Sequence, residues 1–388
     1  MKPQKKHSIL NELEKANIPM LEIVGNFINQ AGYGINQKRR MYSDISTVDA
    51  YQLAENKDVS KKFLAENNIP VPKGQAIETV KELAVAFPTL TCPLVIKPTD
   101  SMWGYGVTTD ISNFSQAKKA FENAKQQKKI NVDKVIIEEQ VSGNDYRVLV
   151  LNNRVIAAMH RIPARVKGDG KLTVKQLANR ENKQRQQRIS VNKESPKPIE
   201  LDNTSKIILT KQGFSYDYIP KKGQYVTLRM NANIHTGGEG IDVTDNIHPA
   251  NKDMCCRIAR ITGLEIVGID ILSPHISKPI GEVGGKITEI NSNPDIDMHI
   301  MPHHGKPINT AKMFVDYLFP NPAKAWIPIK IKGKICKNQK LVNKYLKTKP
   351  KKVVQLADFG AKKKVIVKSP PEILLTYLLD LLTTSVEM

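Results

Sequence analysis

The chain has 388 residues, 40% hydrophobic and 25% charged, an ordinary globular composition that excludes a disordered, collagenous or membrane-embedded protein. Its 59 Lys and Arg against 38 Asp and Glu give a net charge of +21. That balance suits an anionic partner such as nucleic acid, an acidic polymer or a polyphosphate nucleotide, without choosing among them.

The N-terminal run MKPQKKHSILNELEKANIPM is basic but has no apolar core of a secretory signal, and no later stretch approaches the length of a membrane span. Cys92, Cys255, Cys256 and Cys336 show no CxxC spacing, so a disulfide framework or zinc knuckle is excluded. A soluble, cytoplasmic chain with two or three lobes around a shared cleft is expected.

Residues 1–48 start with a short amphipathic helical pattern followed by GNFINQAGYGINQKRR, and read as the remnant of a preceding domain. In 49–92, apolar Leu53, Ala54, Val59, Phe63 and Leu64 predict one helix over Asp49 to Asn67, stopped by the prolines of IPVPKG. Residues 93–165 open with the strand PLVIKP, then a glycine loop, a helix near Asn113 to Lys125 and the strand KVIIEEQV. YRVLVLNNRVIAA is predicted as two strands joined by an Asn152-Asn153 turn.

In 166–320 a polar helix (LTVKQLANRENKQRQQ) precedes a Pro/Lys/Glu-rich exposed loop. Strands then return from Tyr225, with a helix near Asn251 to Thr262, the strand LEIVGIDILS, a Gly284-Gly285 turn, the strand KITEINSNP and a helix near Thr310 to Leu318. Between Asn321 and Pro370 there are 15 lysines against one acid, Asp358, so about +14 of the excess charge sits in that part of segment 321–388. Its apolar end, SPPEILLTYLLDLLTTSVEM, predicts a helix that packs back on the core or docks on a partner.

The phosphate loop GxxxxGK[ST], the dinucleotide fingerprint GxGxxG and the nucleophile elbow GxSxG are absent. Glu289 and Asn291, two apart in a strand, point to one face and offer hard oxygen donors suited to Mg²⁺. Asp270 sits inside an apolar strand, where a carboxylate needs a partner. A strand lying antiparallel beside Glu289 would supply the geometry of a metal site; a solvated strand face is the other reading. Lys97, after Leu94-Val95-Ile96, and the loop glycines Gly104 and Gly106 read either as a phosphate grip or as a strand rim and a turn. Arg229, Asn231 and Asn233, alternating before Thr236-Gly237-Gly238, read as an anion grip on one strand face or as a solvated edge strand. His160, His248, His299, His303 and His304 fit no metal spacing, and His303-His304 reads as loop surface.

In order, LAENKDVSKKFLAENNIPVPKG, PLVIKPTDSMWGYGV, VIIEEQVSGNDYRVLVLNNRVIAAMHRIPARVKGDGKLTV, LRMNANIHTGGEGIDVTDNIHP, GIDIL and ITEINSNPDIDMHIMPHHGKPIN together resemble the ATP-grasp module of cyanophycin synthetase. They are similar also to the ATP-grasp half of bifunctional glutathione synthetase. The resemblance runs from about Gly25 to Pro320 and implies an α+β ATP-grasp fold, two α/β lobes gripping a nucleotide. It implies an ATP-dependent ligase that joins an amino-acid or peptide carboxylate to an amine through an acyl phosphate, using ATP with Mg²⁺ or Mn²⁺.

Carried over by position, Lys57 and Lys97 would touch phosphates and Gly104 and Gly106 would flap over them. Glu138, Glu139, Gln140 and Val141 would form the adenine hinge, Asp145 would meet the ribose, and Arg147 and Arg161 would line the nucleotide cleft. Asp270, Glu289 and Asn291 would hold the metal; Arg229, Asn233, Thr236, Gly237 and Gly238 would steady the acyl phosphate. The chain departs from the pattern at Met102-Trp103-Gly104-Tyr105 and at Asp295 and Asp297, where the acid pair recognises a basic substrate or is neutral surface. The N-terminal substrate domain and the Mur-ligase-like C-terminal domain of the cyanophycin type are expected to be absent. The other functional class consistent with the residues is a binding protein that applies its basic C-terminal segment to nucleic acid or an acidic polymer; oligomerisation is left open.

Overall fold

A helix needs an apolar stripe to bury, and Ile9 and Leu13, one turn apart, supply it in α1 (Ser8–Lys15), which Glu12 and Lys15 brace at 2.6 Å. Strands β1 (Met20–Val24) and β2 (Ile28–Ala31) follow as an antiparallel hairpin. The computed structural model describes residues 45–99, 106–126, 132–191 and 197–322, with 8–16, 18, 20–24, 28–32 and 38 before them and strand residues 330–331, 334–335, 353–359 and 362–368 after them. The chain divides into two units, 46–310 and a second made of 1–45 with 311–388.

In the larger unit the single helix expected over Asp49 to Asn67 is two, α2 (Val48–Glu55) and α3 (Lys57–Glu66). They part at Asn56, whose extended backbone ends α2 and opens α3. Asparagine competes for backbone hydrogen bonds, which makes it a better cap than helix interior. Thr47 accepts from the Ala50 amide at 3.2 Å to start α2.

Strands β3 (Gly74–Ile77), β4 (Leu94–Pro98), β5 (Thr108–Ile111) and β6 (Val135–Glu139) form an antiparallel sheet in the order β3-β6-β4-β5. Ile77, Leu94, Ile96, Ile111, Val135 and Ile137 line its inner face. Helices α4 (Val80–Ala86) and α5 (Phe114–Lys125) cover that face; α5 contributes Ala117, Ala120, Phe121 and Ala124 at helical spacing. The outer face is left with Val95, Lys97 and Glu138.

A second sheet, order β11-β8-β7-β12-β13, is built from β7 (Asn144–Leu151), β8 (Arg154–Ile162), β11 (Glu239–Asp242), β12 (Ile266–Ser273) and β13 (Lys286–Asn291), all antiparallel. Asn152 and Asn153 take φ of 49° and 56°, the left-handed pair a two-residue hairpin of this twist requires, so the expected turn forms where it was placed. One face of the sheet, with Tyr146, Val148, Ala158, Val267, Ile269 and Ile290, packs on α2, α3 and α8 (Pro249–Thr262). Helix α8 starts on Pro249 after the His248 cap and ends at Gly263 with φ 72°.

Between β8 and β11 the chain inserts a small subdomain. It comprises β9 (Arg165–Lys167), α6 (Val174–Val191), α7 (Asn203–Lys211) and β10 (Tyr225–Thr227), around its own core of Val166, Val174, Leu177, Ile199, Leu209 and Val226. In the other unit, α9 (Thr310–Leu318) is followed by backbone hairpins β14–β15 (Lys330–Ile331, Lys334–Ile335) and β16–β17 (Val353–Phe359, Lys362–Lys368). Gly104, the departing loop around it and the apolar run after Pro370 lie outside the described residues. Among the described residues no helix is long and apolar enough to cross a membrane.

Candidate functional site

The period of two that sends Tyr146 and Val148 into the core sends Asp145 and Arg147 to the opposite face of the five-stranded sheet. Register brings the rest beside them. Asp270 lies across from Arg147 on one side and Glu289 on the other, Asp145 across from Arg161, and Asn291 across from Gly268. Arg147 Nε stands 2.6 Å from Asp270 Oδ1, and Arg161 Nη2 lies 3.3 Å from the same oxygen and 2.5 Å from Asp145 Oδ1.

These charges are largely out of water, so they persist only because each is paired. Burial raises the Asp145 carboxyl despite Arg161 beside it. Burial also opposes the charge on Arg161, but Asp270 and Asp145 outweigh it and hold the guanidinium protonated. Gly268 is a spatial requirement: a Cβ there would stand 2.3 Å from Arg147 Nη1 and 2.8 Å from Pro294 Cβ. The guanidinium lies where a side chain from β12 would be.

A second charged group belongs to the outer face of the four-stranded sheet. Glu138, 5% exposed, takes Lys97 Nζ on Oε1 at 2.6 Å and Lys61 Nζ, from α3, on Oε2. Burial works against the Glu138 charge, but the two ammonium groups win and hold its pKa down. Burial likewise opposes Lys97, yet Glu138, with Glu289 adding to it, raises its pKa. Lys61 is the member that gives way: burial and the nearby Lys97 lower it to about 7. Lys57, one turn before Lys61 on the same helix face, reaches 3.6 Å from Glu289 Oε1.

Lys61 was not among the residues singled out from sequence. The signal was present, since it stands four residues after Lys57 and shares its face. The expected adenine hinge has a different side-chain arrangement from residue to residue. Glu138 points into the lysine pair, Glu139 accepts from the Thr91 amide at 3.0 Å, and Gln140 bonds Asp110 through both its amide oxygen and nitrogen. Val141 lies next to them, half-buried, and Gly106 with φ 74° leads into β5.

The strand expected through Arg229, Asn231 and Asn233 is a correction: β10 ends at Thr227, and 3-10 turn Ile234–Thr236 follows irregular backbone. Arg229 is buried and Asn231 exposed, so the three do not share a face. Arg229 is gripped by both oxygens of Asp202, at 2.7 and 2.9 Å, and by Glu200 at 2.9 Å. The amides of Thr236 and Gly238 bond Asn233 O and that of Gly237 bonds Ile234 O, so the turn closes on itself. It runs directly into β11, where Gly240 lies across from Arg161.

Among the described residues no group of three or more His, Cys, Asp or Glu gathers to hold a metal. The metal-holding candidate is therefore two carboxylates and an amide, Asp270, Glu289 and Asn291. It fits a hard cation in donor chemistry, since all three side chains offer oxygen, while Asp270 Oδ1 is at present shared by the Arg147 and Arg161 guanidinium groups. Three of the histidines serve structure. His299 is buried, held down to about 3 by burial and then by Arg147; His248 caps α8; His303 is half-buried, not loop surface, and accepts from the Gly240 amide at 2.9 Å. Asp295 accepts from the Asp297 amide at 3.0 Å, both half-buried. A cavity of about 590 Å³ against α2, lined by Tyr51, Glu55, Asp58, Thr99 and Asp133 among others, includes none of these groups.

Residues 54–233 match the family model of the RimK-like ATP-grasp domain. Cyanophycin synthetase of Nostoc sp. is 38% identical over 325 residues, which cover 83% of this chain and 36% of that protein. The glutathione biosynthesis bifunctional protein of Clostridium perfringens is 34% identical over 270 residues, covering 69% of this chain and 34% of that protein. Among solved structures, a bifunctional glutathione synthetase from Pasteurella multocida superposes with a TM-score of 0.60 at 27% identity, over 81% of this chain and 43% of that one. The chain thus spans about a third of the length of the curated relatives it matches.

Proposed function

We propose, from the premise that the chain carries a RimK-like ATP-grasp domain in the α+β ATP-grasp fold, that it is an ATP-dependent carboxylate–amine ligase acting on amino-acid or peptide substrates. The observation that carries this reading is the in-register opposition of Asp270 and Glu289, with Asn291 on the same face and Lys97 close enough to feel the Glu289 charge.

The reaction this site would perform moves the terminal phosphoryl of ATP to an oxygen of the substrate carboxylate. The amine then attacks the acyl carbon, expelling phosphate and leaving an amide and ADP. Such a transfer needs positioning and opposite charge more than covalent help from the protein. Lys57, Lys61 and Lys97 supply ammonium groups for the phosphates, and Asp145 an acceptor for a ribose hydroxyl. Arg147 and Arg161, fixed by Asp270 and Asp145, present guanidinium groups where negative charge gathers. Asp270, Glu289 and Asn291 would hold Mg²⁺, which when bound neutralises phosphate charge. The Asn233–Gly238 turn, with the Thr236 hydroxyl donating to Asn233 O at 3.2 Å, would border the acyl side. A cytoplasmic setting, where ATP and free amino acids coexist, follows from the same reading.

The test is release of phosphate from MgATP across a panel of amino acids and dipeptides. The reading expects release only when an acceptable carboxylate and an acceptable amine are both present. Phosphate release that ignores both, or none across a broad panel, would remove it.

A further inference from the structure

Among the described residues of the larger unit, the largest fully buried side chain is an arginine that none of these roles uses. Arg185 of α6 is 1% exposed; its Nη1 donates to the carbonyl oxygens of Lys197 and Gly237, both at 2.8 Å, and its Nε to Glu181 at 3.0 Å. One turn earlier, Asn182 holds Ile199 in both directions, accepting from its amide at 2.7 Å and donating to its carbonyl at 2.9 Å. Ile199 in turn lies against Gly237, where a Cβ would stand 2.6 Å from Ile199 Cα and the backbone has φ +94°. Residues 197–199 are thus a strap pinned between α6 and the glycine turn. A Cβ on Gly238 would meet Ile162 O at 2.9 Å, so the turn is seated on β8 as well, and Gly240 follows across from Arg161.

Burying a guanidinium costs several kcal/mol, and spending two of its bonds on main-chain carbonyls of separate segments fixes those segments to each other. A surface loop needs no such anchor. The anchored element is the one that leads onto the charged face.

We propose that Arg185, with Asn182, is a positioning residue for ligation: through the 197–199 strap and the Gly237 carbonyl it sets the Asn233–Gly238 turn against β8, so the inserted subdomain governs the acyl side of the reaction and not nucleotide binding. This rests on the ligase reading above. A misplacement of the turn by about 1 Å is enough to lower turnover by about a hundredfold.

Arg185→Met, Arg185→Lys and Asn182→Ala are compared with the unaltered full chain, with turnover counted per nucleotide-binding site so that unfolded protein drops out. The expected result for Arg185→Met is a fall in kcat of about 10- to 100-fold with the KM for ATP changed less than about threefold. Arg185→Lys, which keeps a donor for one carbonyl, recovers part of kcat, and Asn182→Ala shows the same split on a smaller scale. Amide hydrogen exchange of residues 233–240 quickens about tenfold or more in Arg185→Met while β7 is unchanged. Unchanged kcat per site in both Arg185 variants, or equal loss of kcat and ATP affinity, overturns the proposal. If the unaltered chain shows no ligation at all, the ligase reading fails and exchange at 233–240 alone decides whether the clamp exists: no change in Arg185→Met overturns it.

Discussion

Asp270 and Glu289 face each other in register across β12 and β13, yet they keep different company: Asp270 is buried against Arg147 and Arg161, whereas Glu289 is about a third exposed, 3.6 Å from Lys57, and its charge also acts on Lys97. The two carboxylates therefore answer differently to neutralisation. Glu289→Gln is expected to lower turnover by about a hundredfold or more while changing stability by less than about 1 kcal/mol. Asp270→Asn is expected to lose turnover equally and to cost about 3 kcal/mol as well, because two buried guanidinium groups lose their shared counter-charge. Urea unfolding alongside a phosphate-release assay separates the two; near-normal turnover in either variant would remove the metal assignment.

Gly268 tests whether Arg147 must lie over β12. Gly268→Ala places a methyl 2.3 Å from Arg147 Nη1, and Pro294 on its other side cannot yield as a flexible chain would. A loss of about 1 to 3 kcal/mol and a fall in kcat are expected together. Unchanged thermal unfolding would mean that Arg147 has another resting place.

Much of this arrangement was legible in the sequence. The Asn152-Asn153 turn and the α5 helix follow from turn chemistry and period, which are local, and the antiparallel pairing of the Asp270 and Glu289 strands, one of two readings left open by the sequence, is the one that forms. What was missed depends on contacts between distant segments. Lys61 belongs with Glu138 only because its side chain reaches from α3 to a strand 77 residues later, and the strand expected through Arg229 gives way to irregular backbone where Asp202, 27 residues earlier, claims its guanidinium. The break at Asn56 lay in plain sight as a poor helix former, but a continuous apolar stripe masked it.

Nucleotide binding is expected to be proton-linked through Lys61. With its pKa lowered to about 7 it is mostly neutral at pH 8, and a polyphosphate brought beside it favours the charged form. Calorimetry at pH 8 in buffers of different ionisation heat should show uptake of about half a proton or more per MgATP bound, and none in Lys61→Met. Equal heats in all buffers for the unaltered protein would contradict this.

His299 sets part of the acid limit of stability. Its pKa is held at about 3 against an ordinary value of 6.5, so the native state refuses a proton that the unfolded chain accepts. Stability from this group is complete above pH 6.5 and falls, as pH drops towards 3, by about 1.4 kcal/mol per unit. Urea midpoints between pH 4 and 7 should therefore slope less in His299→Leu than in the unaltered chain. Parallel slopes would show that His299 titrates normally.

The most direct measurement follows one atom. A substrate acid labelled with ¹⁸O in its carboxylate is ligated with MgATP and an amine, and the released phosphate is weighed by mass spectrometry. If the carboxylate takes the phosphoryl and the amine then displaces it, each phosphate carries one labelled oxygen and the amide retains the other. Unlabelled phosphate formed alongside the amide would contradict an acyl-phosphate route.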